Sequence, residues 1–200
     1  MANLERREAA LPPLVLASAS PRRAQLLEQI GVHPEYFEAA DIDETPLKSE
    51  LPRDYVGRLA REKAAKIAEG RPGAFILSGD TAVACGRRIL PKAEEPEHAR
   101  DCLALLSGRS HRVWTGVCLI NPTGRQSTRI VESRVKVRRL SSPDIEAYIK
   151  SDEWRGKAGG YAIQGRFGAH IISIIGSYSS VVGLPLYETM NLLRGEGFKL

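Results

Sequence analysis

Cysteine is scarce in this chain of 200 residues: Cys85, Cys102 and Cys118 are the whole set, and no two stand in C-x-x-C spacing. An odd, scattered set excludes a disulfide frame and a cysteine-bound zinc, and it suits buried thiols in a reducing cytoplasm. Histidine is sparse too, and His33, His98, His111 and His170 lack the spacing of a metal site. Aromatic residues are 6% of the chain. None of them interleaves with the alternating basic residues Arg134, Lys136 and Arg138, so that strand lacks the stacking platform used by single-strand binders. The phosphate-loop pattern G-x-x-x-x-G-K-[ST], the dinucleotide pattern G-x-G-x-x-G and the zinc pattern H-E-x-x-H are all absent. No apolar run approaches the roughly 20 residues that cross a bilayer. The opening Met1–Glu8 has no apolar core of the signal-peptide kind. These absences lead to the expectation of a soluble cytoplasmic protein.

What is present is ordinary for a globular enzyme: 42% hydrophobic and 26% charged residues. The length suits one domain, and the chain divides into a loose leader over residues 1–12 and a single domain over 13–200. The net charge of +5 favours anionic partners without reaching the excess typical of nucleic-acid binders.

The most informative stretch runs from Leu14 to Leu27. An apolar strand-like run ends at Ser18 and Ser20, and Pro21 follows as the first residue of a helix with Ser20 as its cap. Arg22 and Arg23 then occupy the first helical turn, where the helix dipole is already positive. Two guanidinium groups there cost stability unless an anion joins them, so the segment has the makings of a phosphate site. A solvated helix start with arginines turned outward fits the same residues.

Further along, the spacing of Tyr55, Val56, Leu59, Ala60, Lys63, Ala64 and Ile67 predicts a helix over Pro52–Glu69. Tyr36–Ala40 reads as a strand, and Ala74–Leu77 and Ala82–Cys85 read as short strands on either side of Ser78–Thr81. A helix over Glu95–Leu106 precedes a hairpin of His111–Ile120 and Gln126–Arg139 across Asn121–Gly124. Ser142–Lys150 is helical, a glycine-rich loop fills Gly156–Gly168, Ala169–Ile175 is a strand, and Leu186–Arg194 closes the chain as a helix. Strands and helices mix without strict alternation, which implies an α/β mixed sheet with helices on both faces.

Asp80, between two apolar runs, is positioned to be at least partly buried, and a buried carboxylate needs a partner, a metal or a raised pKa. An ordinary turn acid would read the same way. Glu44 lies in the acidic run Asp41–Thr45, Lys63 on a helix rich in cations, and Lys92 after Pro91; each also suits plain solvated surface. The loop Gly156–Gly165 holds four glycines that let backbone approach a ligand, Tyr161 to stack or pack, and Gln164, whose amide both donates and accepts.

Taken together, Ser18-Ala19-Ser20-Pro21-Arg22-Arg23-x-x-Leu26-Leu27, Arg61-Glu62-Lys63-Ala64, Gly79-Asp80-Thr81, Lys92, Leu106-Ser107-Gly108, Gly156–Gly165 and Val182-Gly183-Leu184-Pro185-Leu186 closely resemble the Maf family of nucleotide pyrophosphatases. The resemblance spans residues 14 to 195 in order. It implies a Maf-type fold related to the inosine triphosphate pyrophosphatase-like group, with two lobes around a central cleft. It also implies hydrolysis of a nucleoside triphosphate to monophosphate and pyrophosphate, a divalent cation such as Mg or Mn, and a homodimer. The Tyr161–Gly165 loop resembles the branch acting on dTTP and UTP. By the same resemblance Asp80 matches the proton acceptor, Arg22, Thr81 and Gln164 match specificity positions, and Ser18, Arg23, Glu44, Lys63 and Lys92 match residues lining the site. Asp80 and Glu44 are the metal-ligand candidates. Pro91 and Ala93 depart from the glycine and proline that often flank the lysine matching Lys92, and Ser180 stands where asparagine is frequent. Two other readings compete: hydrolysis of 7-methyl-GTP, and a basic nucleic-acid-binding module, which leaves Asp80 and the glycine loop unexplained.

Overall fold

Alternation along the first strand sets up the layers of the computed structural model, which describes residues 11–199. In β1 (Leu14–Ala17), Leu14 and Leu16 face one side of the sheet and Val15 and Ala17 the other. All four are buried, as expected of a strand covered on both faces. The leader assigned to residues 1–12 lies mostly outside the described residues.

α1 (Pro21–Glu28) follows, with Pro21 at its first turn and Leu26 and Leu27 buried. Ser20 takes the cap position, but its hydroxyl does not cap the helix. Then come β2 (Tyr36–Phe37) and α2 (Pro52–Ala68), whose Ala60, Ala64 and Ile67 pack against Val15, Ala17 and Ile76. β2 is shorter than the strand expected over Tyr36–Ala40.

The largest departure from expectation is β3, an unbroken strand over Phe75–Cys85. Ser78-Gly79-Asp80-Thr81 carries turn-type residues, yet antiparallel pairing with β6 (Ser110–Ile120) runs straight through it, from Ile76 opposite Ile120 to Ala84 opposite Arg112. A full ladder of backbone hydrogen bonds overrides local turn preference. Between these strands lie β4 (Arg88–Leu90), β5 (Lys92–Ala93) and α3 (Pro96–Leu106). After β6 the expected hairpin leads to β7 (Gln126–Val137), then α4 (Ser142–Ile149), whose Ser141 and Asp144 form a reciprocal capping box. β8 (Lys157–Ala158), a 3₁₀ turn at Arg166–His170, β9 (Ile171–Ile175), α5 (Tyr178–Val182) and α6 (Leu186–Gly195) complete the chain. The two-residue strands β5 and β8 pair with each other apart from the main sheet. They and α5 are too short to leave a periodic trace in the sequence.

The main sheet has the order β2-β1-β3-β6-β7-β9, with β4 added to β3. β2, β1 and β3 are parallel, and the rest pair antiparallel. α2 covers one face, while Leu26, Leu27, Leu192 and Leu193 of α1 and α6 cover the other. A second core gathers the far ends of the long strands with α3 and α4, including Val83, Val113, Val135, Leu103 and Trp154. The long strands thus bridge two lobes, in agreement with the mixed α/β fold expected.

Candidate active site

The site lies where the sheet is interrupted. β1 pairs with β3 only as far as Ser78, and β4 joins the same edge only at Val83. Gly79, Asp80, Thr81 and Ala82 therefore lack a strand neighbour on that edge, while β6 runs along the other. Successive side chains of a strand point to opposite faces, so the gap exposes both Asp80 and Thr81 to one cleft of about 480 Å³. Ser18, Arg22, Arg23, Glu44, Lys63, Asp80, Thr81, Lys92 and Gln164 all line it, so no expected site residue lies elsewhere.

Asp80 is 4% exposed and Lys63 is 8% exposed. Lys63 Nζ donates to Asp80 Oδ1 at 2.6 Å and pairs with Glu44 Oε1 at 2.7 Å. α2 comes down onto the sheet here because Gly116, opposite Asp80 on β6, has no side chain; an added Cβ would overlap the Val56 carbonyl. Lys63 is thus no solvated lysine. Glu44 is equally committed, since its Oε2 accepts from Lys92 Nζ at 2.5 Å. Burial alone would raise the pKa of Glu44, but the hydrogen bonds and charges of Lys63 and Lys92 outweigh it and hold the carboxyl at about 2. Tyr55 Oη fixes the loop by donating to the Glu44 carbonyl at 2.9 Å, and Arg58 binds Glu50 and the Thr45 carbonyl.

The two arginines of α1 differ. Arg23 donates through Nε to the Gly183 carbonyl at 2.8 Å and through Nη1 to Ser18 Oγ at 2.9 Å. Burial lowers its pKa, with Asp80 pulling the other way. Arg22 is half-buried and makes no side-chain hydrogen bond or ion pair among the described residues; burial lowers its pKa as well. Lys157, inside the glycine loop, lines the same cleft. Its pKa is lowered by burial first and then by the charge of Arg22, and among the described residues its ammonium donates only to the Arg155 carbonyl. Two cations that line one cleft, feel each other's charge and pair with no acid among the described residues favour an anion there.

The glycine loop is packed, as Tyr161 and Ile163 suggest, and two of its glycines serve that packing. Gly159 has a φ of +67°, and an added Cβ would come within 2.8 Å of Val83; one at Gly160 would lie 3.1 Å from Ala99 Cα. These glycines admit the loop to its own core. Tyr161 is buried there, with its hydroxyl 2.7 Å from His111 Nε2 and its ring 4.7 Å from that of Phe167. Burial lowers the His111 pKa to about 4, so the imidazole is neutral at pH 7. Gln164, at the loop's end, is exposed on the cleft wall.

For a divalent cation the donors are oxygens. Asp80 Oδ2 takes no hydrogen bond among the described residues, whereas both Glu44 oxygens are held by lysines. No cluster of three or more acidic, histidine or cysteine side chains suited to a metal occurs among the described residues. Magnesium usually makes do with one or two carboxylates plus substrate phosphates. Asp80 fits that pattern directly, and Glu44 fits it once a lysine moves away.

A cleft that gathers these cations around one buried carboxylate, at a gap in a mixed sheet, defines a protein built for polyanionic ligands. The Maf-like protein family model matches residues 13–196, and the chain belongs to that family. It is 58% identical over 191 residues to a dTTP/UTP pyrophosphatase of Caulobacter vibrioides, covering 96% of this chain and 99% of that one. A dTTP/UTP pyrophosphatase of Mesorhizobium japonicum is 56% identical over 196 residues, covering 95% and 94%. Among solved structures, a HAM1 protein from Coxiella burnetii superposes with a TM-score of 0.49 at 16% identity, over 92% of this chain and 99% of that one. No described helix is long and apolar enough to cross a membrane.

Proposed function

We propose that this protein is a nucleoside triphosphate pyrophosphatase that hydrolyses dTTP and UTP to the monophosphate and pyrophosphate. The observation that carries the reading is the Asp80–Lys63–Glu44 cluster at the sheet gap, faced by Arg22, Lys92 and Lys157. The names of the relatives supply the substrate.

Cleavage between the α and β phosphates needs an activated water and a stabilised leaving group. Asp80 Oδ2 accepts a proton from water as the water oxygen bonds to the α phosphorus; the bond to the bridging oxygen breaks, and pyrophosphate leaves with the electron pair. Lys63 fixes the orientation of Asp80 through Oδ1 and binds phosphate oxygen on its open side. Arg22, Arg23, Lys92 and Lys157 neutralise the polyphosphate, and Ser18 holds Arg23. Thr81 and Gln164 select the base. A divalent cation, Mg or Mn, would be held by Asp80 and Glu44 and supplies charge neutralisation at the phosphates.

A homodimer and a cytoplasmic setting complete the proposal. Ile172 and Ile175 on the outer strand β9, and Tyr178 just after it, are exposed and offer apolar surface for a second copy, and the free thiols suit reducing conditions.

The test is pyrophosphate release from dTTP, UTP, CTP, ATP, GTP and 7-methyl-GTP, with and without Mg or Mn. The proposal expects dTTP and UTP to lead, and turnover to need the metal. A lead for 7-methyl-GTP overturns the substrate. Salt-sensitive DNA binding without turnover of any triphosphate overturns the enzyme.

A further inference from the structure

Thr81 and Thr115 are cross-strand partners on β3 and β6, with their hydroxyl oxygens 3.1 Å apart. Thr115 is completely buried, and its Oγ1 also lies 2.8 Å from the Ser180 carbonyl. A carbonyl can only accept, and a threonine hydroxyl has one proton. The Thr115 proton is therefore given to Ser180, and the contact with Thr81 must be made by the proton of Thr81. The chain of donation runs from Thr81 to Thr115 to the Ser180 carbonyl. Its outer end, the Thr81 hydroxyl on the cleft wall, is left with lone pairs alone to offer a ligand.

Gln164 has no such fixed polarity. Its side chain makes no hydrogen bond among the described residues, and turning the amide over exchanges its donor and acceptor. A free amide can pair with the edge of uracil or of cytosine equally well. A hydroxyl locked as an acceptor cannot.

We propose that Thr115 is a positioning residue that sets pyrimidine specificity by locking Thr81 as a hydrogen-bond acceptor for the imide N3–H of uracil and thymine. The inference rests on the functional reading above, in which Thr81 meets the base. Cytosine presents a lone pair at N3, so at that position two acceptors oppose each other and a buried polar group is left unpaired. Freed from Thr115, the Thr81 hydroxyl can rotate and donate to cytosine instead.

The experiment is kcat/KM for UTP and CTP in the wild type, Thr115→Val and Thr115→Ser. Valine keeps the shape and removes the relay; serine keeps the hydroxyl. The wild type should prefer UTP, Thr115→Val should narrow the UTP-to-CTP ratio at least tenfold, and Thr115→Ser should restore it to within about threefold, changes on the scale of one unpaired buried polar group. In a Thr81→Val background, Thr115→Val should leave the ratio where it stands, because the relay acts through Thr81. Equal losses on both nucleotides in Thr115→Val, or a serine variant as unselective as valine, would overturn the relay and leave the enzyme assignment intact. A wild type without preference for UTP over CTP would overturn the substrate reading itself. If Thr115→Val does not fold, Thr81→Val decides alone: it should lower UTP turnover and spare CTP, and an equal loss on both contradicts the proposal.

Discussion

Lys63 and Arg22 line the same cleft, yet Lys63 has carboxylates at 2.6 and 2.7 Å while Arg22 has no acid within reach among the described residues. The first region is satisfied by the protein itself. Its buried acid and base hold each other, and a loop carboxylate joins them. The second region stores unpaired positive charge at a helix start, where it costs stability. Under the proposed function, the contrast separates machinery that stays in place between turnovers from a surface completed by its ligand.

Four substitutions would break or sharpen that contrast. Asp80→Asn has the largest expected effect: kcat should fall about 10²–10⁴-fold, the range for a lost general base, with a normal melting curve because the amide oxygen still accepts from Lys63. A folded variant with wild-type kcat would remove Asp80 from the chemistry. Next, Lys63→Met strands the Asp80 carboxylate in a buried place and should cost about 3–5 kcal/mol of stability in chemical denaturation. An unchanged denaturation midpoint would show that the cluster is not self-supporting.

The third concerns pH. His111 has its pKa lowered from 6.5 to about 4, so the unfolded chain binds the extra proton first. Stability present above pH 6.5 should be lost as pH falls toward 4, by about 3 kcal/mol in total. Replacing His111 with Gln should flatten that slope; a slope unchanged by the replacement would place its origin elsewhere. Smallest is Arg22→Ala, expected to weaken triphosphate binding by about 1.5–3 kcal/mol, as for a lost charge-assisted hydrogen bond. Titration of the free variant with a non-hydrolysable dTTP analogue checks it.

Arg22, Arg23, Asp80 and Gln164 were legible because each sits in a motif whose local chemistry is incomplete: arginines at a positive helix end, an acid among apolar residues, a glutamine in a glycine loop. Glu44, Lys63 and Lys92 suit plain surface by themselves, and these three and Thr81 stood out only through the family resemblance. What could not be read was the partner of each. Lys63 and Asp80 are 17 residues apart, and Lys92 and Glu44 48 apart, so nothing local pairs them. Thr115 gave no signal, since inside an apolar strand a threonine looks like any other β-former. The continuity of β3 was hidden for the converse reason, as its turn-type residues are overruled by a neighbouring strand. Lys157 lies within the glycine loop, but only the fold brings it into the cleft with Arg22.

The most direct test of the contrast is thermal melting of wild type, Lys63→Met and Arg22→Ala, each with and without the same dTTP analogue. Lys63→Met should lower the ligand-free Tm sharply. Arg22→Ala should leave the ligand-free Tm unchanged or slightly higher and lose most of the ligand-induced rise. An Arg22→Ala protein that melts early without ligand and keeps the full rise with it would contradict the account, because Arg22 would then be part of the scaffold.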